Sequence, residues 1–276
     1  MSPRTVLIIA RKEMRDALWN KWFIFYTVAF SVLALAMAYL SLAGSGMRGL
    51  AGFGRTTAGL VNLVILLVPL MGLSIAAPSL AGEQEHGTLA YLLAQPITRF
   101  EALIGKYLGL SASLTAALAI GFGLCGLGIA ANGDSAGVGV YITLVVMTFA
   151  LGFAMLSVGI LISTLTRKAA AAIGMAIVVW LCLTLLSDLG LMGSALAFKL
   201  RIQELFGLAL VNPLQVFKMS VLNSMNASLD VLGPAGVYAT QAYGRWLSAL
   251  FIGSILAWII VPLVLASLTV SRKSIA

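Results

Sequence analysis

The sequence predicts an all-α integral membrane protein: six transmembrane helices, an N-terminal interfacial helix, and a short cytoplasmic helix between spans 2 and 3. Three observations carry this. Hydrophobic residues fill 61% of the 276 positions and charged residues 9%. Uninterrupted charge-free runs cover 22–47, 56–82, 107–133, 135–166 and 246–271, and a further run over 169–187 continues past a lone Asp188. Each of these reaches about the 20 residues that cross a bilayer as a helix. None shows the ten-residue alternation of polarity that a membrane β-strand needs.

The elements follow in order along a single domain, 1–276. Residues 1–21 precede the first run, and Leu7, Ala10, Met14 and Leu18 recur there at helical spacing with Arg11, Lys12, Arg15 and Asp16 on other faces. That pattern suits an amphipathic helix at the inner leaflet, acting as a membrane anchor or as a contact for a cytoplasmic partner. Spans 1 and 2 are expected near 22–43 and 59–80, within 22–80. The 26-residue run at 22–47 is too long for the roughly 7–15-residue apolar core of a secretory signal. A polar connection occupies 81–107, spans 3 to 5 lie near 108–131, 139–163 and 169–191, and an outer segment covers 192–245. The sixth span, near 246–269, and a tail complete 246–276.

Orientation follows from Lys and Arg, which concentrate in short cytoplasmic loops. Eleven of the 17 basic residues fall on one side: Arg4, Arg11, Lys12, Arg15, Lys21, Arg99, Lys106, Arg167, Lys168, Arg272 and Lys273. That side is read as cytoplasm, with both termini inside. The net charge of +8 is thereby explained by topology, and no nucleic-acid partner is implied. Cys125 and Cys182 both fall in spans, and without a Cys-x-x-Cys or clustered His no metal site is argued from the residues. The 11 methionines suit packing or lipid contact, with a soft-metal path as the alternative.

The connection at 81–107 is the most polar part of the chain. It holds Glu83, Glu85 and Glu101, three of nine acidic residues, and the only histidine, His86. Leu89, Leu92 and Leu93 fall at i, i+3 and i+4, so a short amphipathic helix is expected over 83–94, starting at Glu83 and Glu85, where the helix dipole favours negative charge. Pro96 stops it. Thr98-Arg-Phe-Glu101 then has the form of a capping box opening the helix into span 3. An interfacial loop would explain the same pattern.

Elsewhere the spans carry almost no ionisable groups, which disfavours an ion-coupled carrier. Asp188 lies about 30 Å along the helix from Lys168, at 1.5 Å per residue, which suits an interface contact more than a substrate or proton site. Gly121-Phe-Gly123 and Gly126-x-Gly128 suit close helix packing. In the outer segment an amphipathic helix is expected over 195–210 with Lys199, Arg201 and Glu204 on its polar side, ended by Asn212-Pro213, and a second helix over 214–222. This segment could be a lid or a platform for another protein. No G-x-x-x-x-G-K-[ST] phosphate loop occurs, so the chain has no such route to ATP.

The run Glu83-x-Glu85-x-Gly87-Thr88, then Leu92-Leu93-x-x-Pro96, Arg99 and Gly105-Lys106, resembles the coupling segment of the ABC-2 class of ABC transporter permeases. Six spans, an interfacial helix carrying Ala10-Arg-Lys-Glu13 and a cytoplasmic C-terminus also match that class, so the resemblance covers the whole chain. It implies a non-catalytic subunit of the bacterial inner membrane, a homodimer, with no cofactor of its own. A cytoplasmic ATPase would hold ATP and Mg and take the coupling helix into a groove. The coupling residues would be Glu83, Glu85, Gly87, Thr88, Leu89, Leu92, Leu93, Pro96 and Arg99, with the 163–169 connection and its Arg167 and Lys168 as a nearby second contact. Within the class, Ser187-Asp188-Leu189 and Asn212-Pro213-Leu-Gln-Val-Phe are similar to the permease type of nitrous oxide reductase maturation. That narrower likeness implies copper-site assembly and a periplasmic β-helix partner, with Lys199, Arg201, Glu204, Asn212 and Pro213 as candidate contacts. Export of a lipid or drug, or an ATP-independent carrier or scaffold, are the alternatives.

Overall fold

A computed structural model describes residues 3–43, 51–88, 98–130, 138–197, 202–224, 239 and 242–272. Among these every regular element is helical. The helices are α1 (Pro3–Leu18), α2 (Lys21–Ala43), α3 (Ala51–Glu85), α4 (Arg99–Ala130), α5 (Val138–Leu165), α6 (Ala169–Ala197), α7 (Ile202–Val211), α8 (Pro213–Ser224) and α9 (Leu247–Arg272), the last entered through a 3₁₀ turn at Gly244–Trp246.

Five of these are long and apolar enough to cross a bilayer over Lys21–Leu40, Gly59–Glu85, Arg99–Gly128, Val138–Leu165 and Leu247–Ser271. α6 occupies the place expected for span 5, with an apolar helix over Ala169–Leu185. α3 and α4, at 35 and 32 residues, are roughly 50 Å long at 1.5 Å per residue, more than a hydrocarbon core of about 30 Å. Both therefore reach past the spans expected at 59–80 and 108–131.

α5 is the centre of the bundle. From Leu151 to Thr164 nearly every side chain is buried, because small residues let neighbours approach closely. A Cβ on Gly72 of α3 would stand 3.1 Å from Met155 Cβ, and one on Gly159 would stand 2.6 Å from Ala76 Cβ. Close approach of this kind gives helices dispersion contact where lipid supplies no hydrophobic drive. The pairs also fix direction. Residues 72, 76 and 80 of α3 meet 152–155, 159 and 163 of α5 in increasing order, so the two run parallel. α4 is antiparallel to α5, with Leu114 beside Gly152 and the Tyr141 hydroxyl donating to Phe122 O at 2.6 Å.

Two prolines, Pro69 and Pro78, lie inside α3 without ending it. Ser74 and Ser79 hydroxyls donate to Met71 O and Ala76 O, and Ser163 Oγ on α5 accepts from the N–H groups of Leu80 and Ala81 at 2.8 and 2.9 Å. Side chains and a neighbouring helix thus serve the backbone that proline disturbs.

α1 packs lengthwise on α4. Ile9 meets Gly105, and Ala10 and Glu13 meet Gly109, whose missing Cβ lets the Ala10 carbonyl come into contact. Its inward face is Ile9, Glu13 and Ala17, while Leu7 and Ile8 are 71% and 70% exposed. α2 continues along α4 in the same direction, Phe30 against Gly121 and Leu35 near Gly128. Asn20 marks the joint, its Oδ1 accepting from the N–H groups of Trp22 and Phe23 as the N-cap of α2.

The outer segment differs from a surface platform. α7 and α8 meet at 107°, and α8 is buried from Pro213 to Phe217 and again at Met219–Val221. It sits among α5, α9, α6 and α3. The helix expected over 195–210 is corrected: 195–197 belong to α6, 198–201 lie outside the described residues and α7 starts at Ile202, while the break at Asn212-Pro213 and the second helix are present as a bent pair built into the bundle.

Candidate functional site

One end of the bundle gathers the C-terminal ends of α3, α5 and α9, the first turns of α4 and α6, and all of α1. Thr269 of α9 donates to Thr164 of α5 at 2.9 Å, and Ala169 N of α6 donates to Glu85 Oε2 of α3 at 2.8 Å. This is the end where the basic residues cluster, and the connection over 89–97 leaves from it and returns to it.

On the departing side α3 does not stop before Glu83 but runs through Glu85. Gly87 ends it: its φ is +70°, its N–H donates to Gln84 O at 3.2 Å, and the His86 N–H donates to Gly82 O at 3.0 Å. A left-handed glycine of this kind is a common helix stop. The expectation of a helix starting at Glu83 is therefore corrected. Glu83 and Glu85 lie in the last turn of α3, near the negative end of its dipole, and their charges are held by other elements instead.

Glu83 is answered from two sides. Lys106 Nζ of α4 lies 2.8 Å from Glu83 Oε1 and donates to Glu13 Oε1 of α1 at 2.7 Å; it also reaches Ser79 O at 3.5 Å. Lys12 Nζ lies 3.2 Å from Glu83 Oε1, 3.3 Å from Glu13 Oε1 and 3.8 Å from Asp16. Lys106 is 1% exposed. Burial pulls the Lys12 ammonium toward neutrality, but Glu13 and Glu83 outweigh it and hold its pKa above the ordinary value. Glu85 acts on α6, where its carboxylate takes the first N–H of a helix whose N-terminal end favours an anion.

The returning side is tied as firmly. Thr98 and Glu101 form the expected capping box, Thr98 N to Glu101 Oε2 at 3.0 Å and Glu101 N to Thr98 Oγ1 at 3.2 Å. Arg99 donates to the carbonyls of Val270 and Ser271 at 2.9 and 3.3 Å, covering the last turn of α9. Segment 89–97 is thus bracketed by ties to α1, α4, α6 and α9.

Of the residues expected to carry coupling, Glu83, Glu85 and Arg99 are engaged internally in this way. Gly87 and Thr88 are exposed at the end of α3, and the Thr88 hydroxyl donates to Glu83 O at 3.3 Å. Leu89, Leu92, Leu93 and Pro96 lie outside the described residues. Arg167 and Lys168 are exposed beside Glu85. Sequence reasoning missed Glu13 and Lys106 as a pair. The signal available was Gly105-x-x-x-Gly109 flanking Lys106, a close-packing pattern that requires another helix against it.

At the other end Glu204 is exposed, and Lys199 and Arg201 lie outside the described residues. Asn212 and Pro213, expected to meet an external protein, are buried and serve the fold. Asn212 Nδ2 donates to Leu183 O at 2.8 Å, and its Oδ1 accepts from Leu214 N at 3.0 Å, capping α8. Among the described residues no three His, Cys, Asp or Glu side chains are grouped to hold a metal.

A multi-span helical protein whose polar connection is rooted this way has the build of a transporter's transmembrane subunit. The family of ABC-2 transporter proteins matches residues 7–275, and this chain belongs to it. Among curated relatives it is similar to a probable ABC transporter permease protein NosY from Stutzerimonas stutzeri, 32% identical over 96% of this chain and 97% of the relative. A protein of the same description from Pseudomonas aeruginosa is 31% identical over 91% and 95%.

Proposed function

We propose that this permease sits in the bacterial inner membrane as a homodimer, both termini in the cytoplasm, and converts ATP hydrolysis by a separate nucleotide-binding subunit into work at the periplasmic face. The observation that carries this reading is the bracket around 89–97. A segment tied at one root by Glu83 and Glu85 and at the other by Thr98, Arg99 and Glu101 cannot shift without pulling on α1, α4, α6 and α9. Gly87, Thr88, Leu89, Leu92, Leu93 and Pro96 are the proposed contacts for the ATPase, with Arg167 and Lys168 as a second contact. ATP and Mg belong to that partner, and this chain holds no cofactor.

The likeness to NosY proteins and to the permease type of nitrous oxide reductase maturation supports a role in assembling that enzyme's copper sites, through a periplasmic protein. Glu204, Lys199 and Arg201 are the candidate contacts for that protein. Affinity purification of the chain from its native host in mild detergent tests the reading. Recovery of a phosphate-loop ATPase in equal amount supports it, and a periplasmic protein beside it supports the maturation role. Purification of the chain alone, after cross-linking as before it, would remove the ATP-coupled reading.

A further inference from the structure

We propose that Lys106 is the positioning residue that makes α1, and through it α2, the first limb moved by the coupling segment. This deepens the reading of 81–107 as the ATPase contact and rests on it. Lys106 belongs to α4, yet its ammonium is shared between Glu13 of α1 and Glu83 at the root of the segment, at 2.7 and 2.8 Å, and it is wholly enclosed. Lys12 closes the group from the α1 side against both carboxylates.

The cluster is not arranged as a static staple would be. Glu83 Oε2 is buried and takes no hydrogen bond among the described residues, although a buried carboxylate oxygen left unpaired is costly. Buried ion groups of this kind are often replaceable by apolar side chains without loss of stability; fixing register is one of their better attested uses. Here the register fixed is that of three helices. Gly105 and Gly109, one residue before and three after Lys106, bring α1 into backbone contact with α4, so α1 can slide only along a narrow track. α2 continues that track past Phe30 and Leu35 to the far end of α4. A displacement of the α3 root is carried by Glu83 to Lys106, by Lys106 to Glu13, and by α1 into span 1.

The test uses the permease with its ATPase in lipid nanodiscs, labelled chains diluted with unlabelled ones, in a background with Cys125 and Cys182 replaced by alanine. Spin labels at Tyr39 on α2 and Thr143 on α5 report the far end of the bundle. An ATP analogue should shift the 39–143 distance in the parent. In Glu13→Gln/Lys106→Met, which leaves Glu83 paired to Lys12, the shift should vanish while the ATPase still co-purifies. An undiminished shift in that variant overturns the proposal and leaves the coupling reading intact; loss of the ATPase from the parent itself removes both. Should the variant fail to fold, labels at Arg15 and His86 in the parent decide. Their separation should stay constant on nucleotide binding while the 39–143 distance changes, and a change between 15 and 86 would overturn the proposal.

Discussion

The two ends of this bundle are held by different chemistry. At the basic end charged ties join remote elements, Lys106 with Glu13 and Glu83, Glu85 with the start of α6 and Arg99 with the end of α9, beside the neutral bond from Thr269 to Thr164. At the elbow of α7 and α8 three neutral bonds hold the bend. Asn212 donates to Leu183 O, Ser254 to Leu210 O at 2.8 Å, and the Trp258 indole to Val211 O at 2.9 Å. Both sets serve backbone or charge that the bilayer cannot, since an unsatisfied group in hydrocarbon costs several kcal/mol. Arg99, Glu85 and Lys106 each reach a helix 84 or more positions away in sequence. The neutral set fixes one bend.

The largest expected effect breaks the charged end. Lys106→Met alone leaves Glu13 and Glu83 with only the half-exposed Lys12 between them and should destabilise by up to about 3–5 kcal/mol, read as loss of folded permease in detergent. Gly109→Leu should come next, because any side chain there meets the Ala10 carbonyl and Glu13 Cβ. Overpacking of this kind costs about 1–3 kcal/mol, and α1 should become accessible to protease. At the neutral end Asn212→Leu removes a second donor from Leu183 O, a carbonyl inside the α6 helix, and uncaps α8, for a loss of about 0.5–2 kcal/mol in thermal unfolding. Glu85→Arg sets a cation against the α6 N-terminus beside Arg167 and Lys168, an effect of about 1 kcal/mol on stability. Its larger expected consequence is lost coupling of ATP hydrolysis in the assembled transporter. Smallest is Lys12→Met, under about 1 kcal/mol for a half-exposed pair. Because its pKa is raised in the fold, the Lys12 contribution is complete below its ordinary value of 10.5 and fades only as pH climbs past the raised one.

Local signals in the sequence located most of this architecture. Charge-free runs placed the five helices long enough to cross a bilayer, Thr98 and Glu101 announced their own capping box, and Asn212-Pro213 marked the α7–α8 break, because each depends on neighbours within a few residues. The long-range partners were not legible. Glu83 and Glu85 read as a helix start, since acidic residues before an apolar triplet have that form. Nothing local reveals that α3 continues past Pro78 with help from Ser163, 85 positions later. Lys106 counted as one more positive charge on the inner side until α1 was packed against it. The segment holding α8 read as a lid or a platform, while its neighbours α5 and α9 decide its burial.

The most direct test of the account is a photo-cross-linking residue placed at Leu92 and, for comparison, at Trp246, which is 70% exposed near the start of α9. The account predicts capture of a phosphate-loop ATPase from Leu92 and none from Trp246. Equal capture from both positions, or capture from Trp246 alone, would contradict it.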